Sequence, residues 1–421
     1  MAPATLASVP PLIPALEDAY RDLHSHPELS RQEQRTAGIA AASLRSAGFD
    51  VTEGVGGYGV VGVLHNGDGP TVWLRADMDA LPVLEETGLD YASTVVSHKD
   101  GGDEVPVMHA CGHDMHTTCL MGATTAFANS RDSWSGTLVA IFQPDEETLH
   151  GSGAMIDDGV LDRFPRPDVV LGQHVGPLPA GTVFYLPGAI MAGADNLEIR
   201  LFGAGGHGSM PHTTVDPVVM AASLVLRLQT IVSREVAPNK SVVVTIGSVT
   251  SGKQDNIIPS EALLKMTVRT FDADTRNQVL AAIERITKAE ALASNSPRDP
   301  EITITTSGPS TINDAAATGQ VVASLQAAWG PTRVFLMPEP ATGSEDVGRF
   351  GTTAGVPSVF WFLGGAEPTQ FLPPADPIQV MSSLPSNHSS KYAPDIEPTL
   401  QTGVEALIIA ASTWLAPAAA G

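Results

Sequence analysis

Within the stretch VMHACGHDMHTTC, residues 107–119, the chain places one thiol, Cys111, the imidazoles of His109, His113 and His116, and the carboxylate of Asp114. Cys111 and His113 flank a glycine, so both side chains can face one centre from a tight turn. Thiolate and imidazole are ligands of zinc and related divalent ions. The apolar run 117–126 that follows reads as a helix. The pair therefore stands at a helix N-terminus, where unpaired backbone N–H groups favour a thiolate. Taken alone, the same pair reads equally as a buried thiol and a hydrogen-bonded core histidine.

Glu147, His174 and His388 extend the set, each beside an expected strand end or turn. Five such residues are too many for one tetrahedral ion and suit two ions sharing a bridge. Glu146 adjoins Glu147, and on an irregular loop the two can point differently. One then binds metal while the other takes a proton as general base. A Glu-Glu pair elsewhere is a solvated surface, but this one follows the apolar strand 138–142. Asp77 is expected to fix the tautomer of His113 from behind. Arg75 is expected to pair with Asp77 or Asp79 rather than to bind metal.

The elements that must position these residues are an α/β fold in two domains. A chain of 421 residues exceeds one ordinary core. The formal net charge of −23 argues against nucleic acid and anionic membrane surfaces as partners. Two cysteines, Cys111 and Cys119, exclude a disulfide framework and lead to the expectation of a cytoplasmic protein. No basic residue precedes Arg21, so the start lacks the charged region of a signal peptide. No uncharged apolar run reaches the ~18 residues of a spanning helix. The nearest is 406–420, read as a buried C-terminal helix with an Ala-rich tail.

Helices are expected at 14–24 and 32–47, and strands at 59–64 and 71–74 around the turn Asn66-Gly67-Asp68-Gly69. Strands at 137–142, 169–172 and 358–363 alternate with helices at 117–129 and 151–157. Functional residues fall just past the strand ends, where open parallel sheets carry ligands. This predicts a catalytic α/β/α domain with a mixed, mostly parallel sheet over 1–192 and 308–421. From Gly193 the strands alternate in polarity, as in an antiparallel sheet covered on one face. An α+β domain is therefore expected as an insert at 193–307, with strands at 196–202, 241–249 and 262–271 and helices at 217–233 and 274–293.

With these residues in place, the sequence resembles the aminoacylase, hippurate hydrolase and auxin-conjugate amidohydrolase family of two-metal peptidases. The matching segments are HSHPELS at 24–30, RADMDALPV at 75–83, MHACGHDMHTT at 108–118, DEE after FQP, GQHV at 172–175, GGHGSMPH at 205–212, NIIP at 256–259, GSEDV at 343–347 and NHSSKYAP at 387–394. The resemblance covers nearly the whole chain. It implies metals on Cys111, His113, Glu147, His174 and His388, with Glu146 as base. The Cys111 thiolate is expected to bridge, with Asp114 ranked second. Distant relatives carry His-x-Asp where this chain has Arg75-Ala76-Asp77, so Arg75 is not counted as a ligand.

The resemblance also implies that the insert is a lid that pairs into a homodimer. It gives His207 the oxygen of the scissile amide. Arg269, on the same insert as Asn256, is the natural fork for a substrate carboxylate, or else an ordinary lid ion pair. His212 reads first as a satisfied lid histidine and second as substrate-binding. The implied reaction is hydrolysis of N-acyl-L-amino acids with two divalent ions, zinc first and manganese, cobalt or nickel as alternatives. A dipeptidase or carboxypeptidase using the same centre is the rival reading.

Overall fold

The computed structural model describes residues 3–99, 101–373 and 376–415, with the side chains of 377 and 378 left aside. The Ala-rich tail expected from 416 onward lies outside the described residues. The chain divides into two compact units.

The first unit comprises Met1–Ile190, Ile312–Pro340 and Asp346–Gly421. Its eight-stranded sheet runs, in spatial order, Asp50–Val55, Gly59–Asn66, Gly136–Gln143, Thr71–Asp77, Val169–Pro179, Ser358–Ala366, Val183–Tyr185 and Val334–Leu336. The four central strands, from Gly136–Gln143 to Ser358–Ala366, are mutually parallel. Antiparallel neighbours flank them on either side. Every residue of Gly136–Gln143 is buried, as a strand covered on both faces must be. The sheet is thus α/β, mixed and mostly parallel. The edge strand Asp50–Val55 was not foreseen, because its residues are largely exposed and carry no apolar run.

The helix His113–Asn129 is buried on almost every side. It lies against the helices Ile13–Ser25 and Ile396–Ala411. Close approach depends on small residues. A Cβ on Gly122 would fall 2.7 Å from Leu16 and from Val404, and one on Gly403 would fall 2.5 Å from the Cys119 sulfur. Cys119 is therefore a packing residue, buried against the Ile396–Ala411 helix.

The second unit comprises Met191–Thr311 and Ala341–Glu345. This unit is wider than the expected insert at 193–307, by residues 191–192, 308–311 and 341–345. The strand order is Val243–Ser251, Glu261–Thr270, Gly193–Phe202, Glu301–Gly308, antiparallel throughout. Leu197, Ile199, Leu201, Leu264, Met266 and Val268 alternate inward and share a core with Leu224, Leu228, Val279 and Ile283 of the helices Pro217–Thr230 and Ala273–Ala293. Asp216 caps the first of these by accepting from Val218 N, and Pro217 at the first helical position needs no N–H partner. A π-turn, Ile231–Glu235, prolongs this helix. Among the described residues, Pro217–Glu235 is the one helix long and apolar enough to cross a membrane by length and composition; it carries Arg227, Arg234 and Glu235, and one of its faces lies on the sheet.

Candidate metal centre

Local structure aims the side chains. Gly112 adopts φ +82°, and a Cβ there would meet Val175 Cγ1 at 2.4 Å. Only glycine makes this turn, which sets Cys111 just before the helix and His113 as its first residue. His174 lies inside the strand Val169–Pro179, not on the loop that the sequence suggested. Glu146 and Glu147 sit between Asp145 and Leu149, both in the left-handed region at φ +55° and +58°. His388 is left-handed too, at φ +71°. Its N–H donates to Ala110 O, and the Asn387 amide donates to Cys111 O and Val175 O. Non-glycine residues take this conformation only where their surroundings impose it.

The five expected ligands converge. Cys111 Sγ lies 3.5 Å from His174 Nε2 and 3.3 Å from His388 Nε2. Glu147 Oε1 is 3.4 Å from His388 Nε2 and 3.8 Å from His113 Nε2. Glu146, buried, has Oε2 3.8 Å from His113 Nε2. Three overlapping groups follow: Cys111 with His113 and His174, Cys111 with Glu147 and His388, and His113 with Glu146 and Glu147. Glu147 belongs with both Cys111 and His113, whereas Glu146 is not grouped with Cys111.

These residues fit divalent ions. His113 Nε2 and Glu147 Oε1 are buried polar atoms with no hydrogen-bond partner, a costly arrangement unless a cation receives both lone pairs. The His174 Nδ1–H donates to Val175 O at 2.8 Å, leaving Nε2 as the free lone pair. Burial, reinforced by His116, holds His174 well below the ordinary histidine range, hence neutral. Burial and the carboxylates of Glu147, Glu146 and Asp77 push the Cys111 thiol well up. Burial opposes the charged form of His113, yet Asp77, Asp79 and Glu147 push it up to about 10. A bound cation would reverse this field and displace the protons.

The support behind His113 differs from the sequence expectation. His113 Nδ1 faces Asp79 Oδ1 at 3.2 Å, while Asp77 stands 3.8 Å from the opposite nitrogen. Asp77 instead accepts from His116 Nδ1 at 2.6 Å and from Arg75 Nη1 at 2.7 Å. Arg75 also reaches Gln143 and Asp346. The sequence pattern gives His116 no role, although it lies one helical turn from His113. With Nδ1 given to Asp77 and Nε2 accepting from Val175 N at 2.8 Å, it has no lone pair for a metal. It ties the helix to the strand that carries His174. Asp114, the second choice as bridge, faces away: Oδ2 accepts from His24 and Oδ1 from Met115 N. His24 is clamped between Asp114 and Glu85 and, despite burial, rises to about 9.

In the second unit, His207 is exposed, and its Nδ1 accepts from Ser209 N and Oγ at 3.1 and 2.8 Å. The Nε2–H is thereby left as the outward donor. Asn256 is exposed on the neighbouring strand turn, its carbonyl accepting from Gly208 N. His212 is exposed in the short turn Pro211–Thr213, so it is not the satisfied lid histidine that was the first reading. Arg269 is half-buried and donates to Ser344. Among the described residues no carboxylate pairs with it, which removes the lid ion-pair reading.

Comparison with known proteins shows the family of the chain. The family described as Peptidase family M20/M25/M40 matches residues 73–377. N-acetyl-L-cysteine deacetylase of Bacillus subtilis strain 168 is 37% identical over 350 residues, 82% of this chain and 79% of that protein. Hippurate hydrolase of Campylobacter jejuni is 40% identical over 338 residues, 79% of this chain and 84% of that protein. Among solved structures, the Bacillus subtilis YXEP protein, described as a dinuclear metal binding peptidase from the M20 family, superposes with a TM-score of 0.73 at 28% identity, covering 95% of this chain and 98% of that one. With its cysteine, histidines and paired glutamates gathered at the ends of a mostly parallel sheet, this chain belongs to the peptidase family M20/M25/M40.

Proposed function

We propose that the protein hydrolyses the amide bond of N-acyl-L-amino acids, giving a carboxylic acid and a free amino acid. Two divalent ions, zinc first, would be held by Cys111, His113, Glu147, His174 and His388. The observation that carries this is the pair of orphaned atoms His113 Nε2 and Glu147 Oε1, set beside the Cys111 sulfur, with buried Glu146 next to them. Bound there, the ions would polarise the scissile carbonyl and lower the pKa of the attacking water. Glu146 takes the water's proton and returns it to the leaving nitrogen. Asp79 keeps His113 oriented, and the Val175 carbonyl does the same for His174.

In the second unit, the outward Nε2–H of His207 suits a developing oxyanion. The Arg269 fork suits a carboxylate, with Asn256 as a further donor. The relatives named N-acetyl-L-cysteine deacetylase and hippurate hydrolase support an acyl amino acid over a dipeptide. We further propose a homodimer, supported by Val219 and Leu226, which stay exposed on the Pro217–Thr230 helix, and a cytoplasmic location, supported by two unpaired cysteines. Sedimentation and cell fractionation test these.

The decisive experiment gives the metal-loaded protein N-acetyl and N-benzoyl amino acids beside dipeptides. Acyl amino acids are expected to turn over faster. Glu146→Gln is expected to keep both metals and lose about 10²–10⁴-fold in kcat. Full turnover by that variant refutes the assignment of the base.

A further inference from the structure

The first unit holds a recess of about 370 Å³ whose wall includes Glu147. We infer that this recess binds the acyl part of the substrate and favours an apolar chain or ring larger than acetyl. The inference rests on the proposed amide hydrolysis and adds the acyl class to it.

Leu29, Ala80, Leu81 and Pro82 form the apolar wall. Three of the polar side chains around them, Ser30, Thr148 and Gln32, are engaged elsewhere. Ser30 donates to Asp79, and Thr148 donates to Asp145. The Gln32 amide donates to His98 O, and its oxygen accepts from Ser97. Lys99 is exposed. An entering group therefore meets mostly hydrocarbon along Leu29, Ala80, Leu81 and Pro82, and the one cation in the lining is the exposed Lys99. The amino-acid half of the substrate carries a carboxylate beside its nitrogen, whereas the acyl half need carry no charge.

The wall is also fixed relative to the metal centre. Leu81 and Met108 exchange backbone hydrogen bonds at 3.0 Å, and Ala80 N donates to Glu28 O at 2.8 Å. Asp79 accepts from both Ser30 and Glu147 N, so one carboxylate ties the recess to the candidate ligand. The volume lies in the range of small-molecule pockets, about 300–1,000 Å³. An acetyl methyl would leave most of it to water, and each added methylene buried there favours binding by about fourfold.

The test measures kcat/KM of the metal-loaded protein on N-acetyl-, N-butyryl-, N-hexanoyl- and N-benzoyl-alanine, and on N-acetyl derivatives of several amino acids. The hexanoyl-to-acetyl ratio is expected to be on the order of 100. Leu81→Trp, and Leu81→Phe should the first fold poorly, fills the recess and is expected to lower that ratio at least tenfold. Calorimetry with hexanoate and acetate supplies a readout that needs no turnover: hexanoate should bind the parent protein more tightly, and the Leu81 variants should lose that difference. An acyl ratio near one in the parent overturns the inference, as does a ratio unchanged in folded variants, or a variant effect confined to the amino-acid series. If no amide is cleaved while hexanoate binding persists and the variants lose it, the hydrolase reading fails and the recess stands.

Discussion

Asp79→Asn removes one charge and almost no volume, and its consequences can be worked from three contacts. Oδ1 faces His113 Nδ1 at 3.2 Å, and Oδ2 accepts from Ser30 Oγ at 2.7 Å and Glu147 N at 3.0 Å. Burial opposes ionisation, but His113, the Ser30 hydroxyl and the Glu147 N–H together hold the Asp79 carboxyl below its usual range. An amide offers one accepting oxygen. If that oxygen turns to His113, the new NH₂ confronts the Glu147 N–H. The hydroxyl of Ser30 can rotate to accept, but the backbone N–H cannot. One orphaned buried N–H costs about 1–3 kcal/mol. Because it belongs to a candidate ligand, and His113 loses its anionic support, metal affinity should fall about 10- to 100-fold. The assay titrates metal-free protein with zinc against a competing chelator at fixed pH. Affinity should rise with pH for the parent, since His113 and Cys111 must give up protons to bind. A folded Asp79→Asn protein with affinity within about twofold of the parent refutes the reasoning. A loss seen for Asp77→Asn alone would restore the pairing first expected from the sequence.

Two further outcomes concern groups behind the centre. Arg75→Met leaves Asp77 and Asp346 buried without their guanidinium, and urea unfolding of the metal-free protein should show a loss of about 3–5 kcal/mol; a loss below about 1 kcal/mol would mean that the carboxylates are neutralised by other means. Glu33 accepts from Arg31 N and Asp145 N through one oxygen while the other is buried without a partner. Burial first, and Asp79 second, raise it from 4.5 to about 8. A raised folded pKa gives stability that is complete at low pH and lost as pH climbs to about 8, by about 5 kcal/mol at most. Glu33→Gln should not show this decline, so its melting temperature should gain on the parent between pH 5 and 8; parallel profiles would count against a protonated Glu33.

Part of the candidate ligand set was legible because its spacing is local, whereas Glu147, His174 and His388 lie far along the chain and only the fold gathers them. Cys111-Gly112-His113 needs only a left-handed glycine to aim two donors at one point, and adjacent glutamates after an apolar strand need only a bend. The apolar run 136–143 and the alternating runs of the second unit announce buried and half-buried strands by side-chain period alone. Long-range direction was not legible. Asp77 and Asp79 are both two-carbon carboxylates near a strand end, and only the path of the chain after Asp77 decides that Asp79 meets His113 while Asp77 meets His116 and Arg75. Asp114 adjoins His113 in sequence, yet one helical step turns it about 100° away, toward His24. Ala341–Glu345 joins the second unit through contacts with residues far off in the chain, which no local pattern records. The sequence by itself determined which chemical groups were available and the periodicity of the elements bearing them. Only the tertiary structure decided which carboxylate faces which imidazole, because a partner is chosen by directions in space that two residues distant along the chain do not encode.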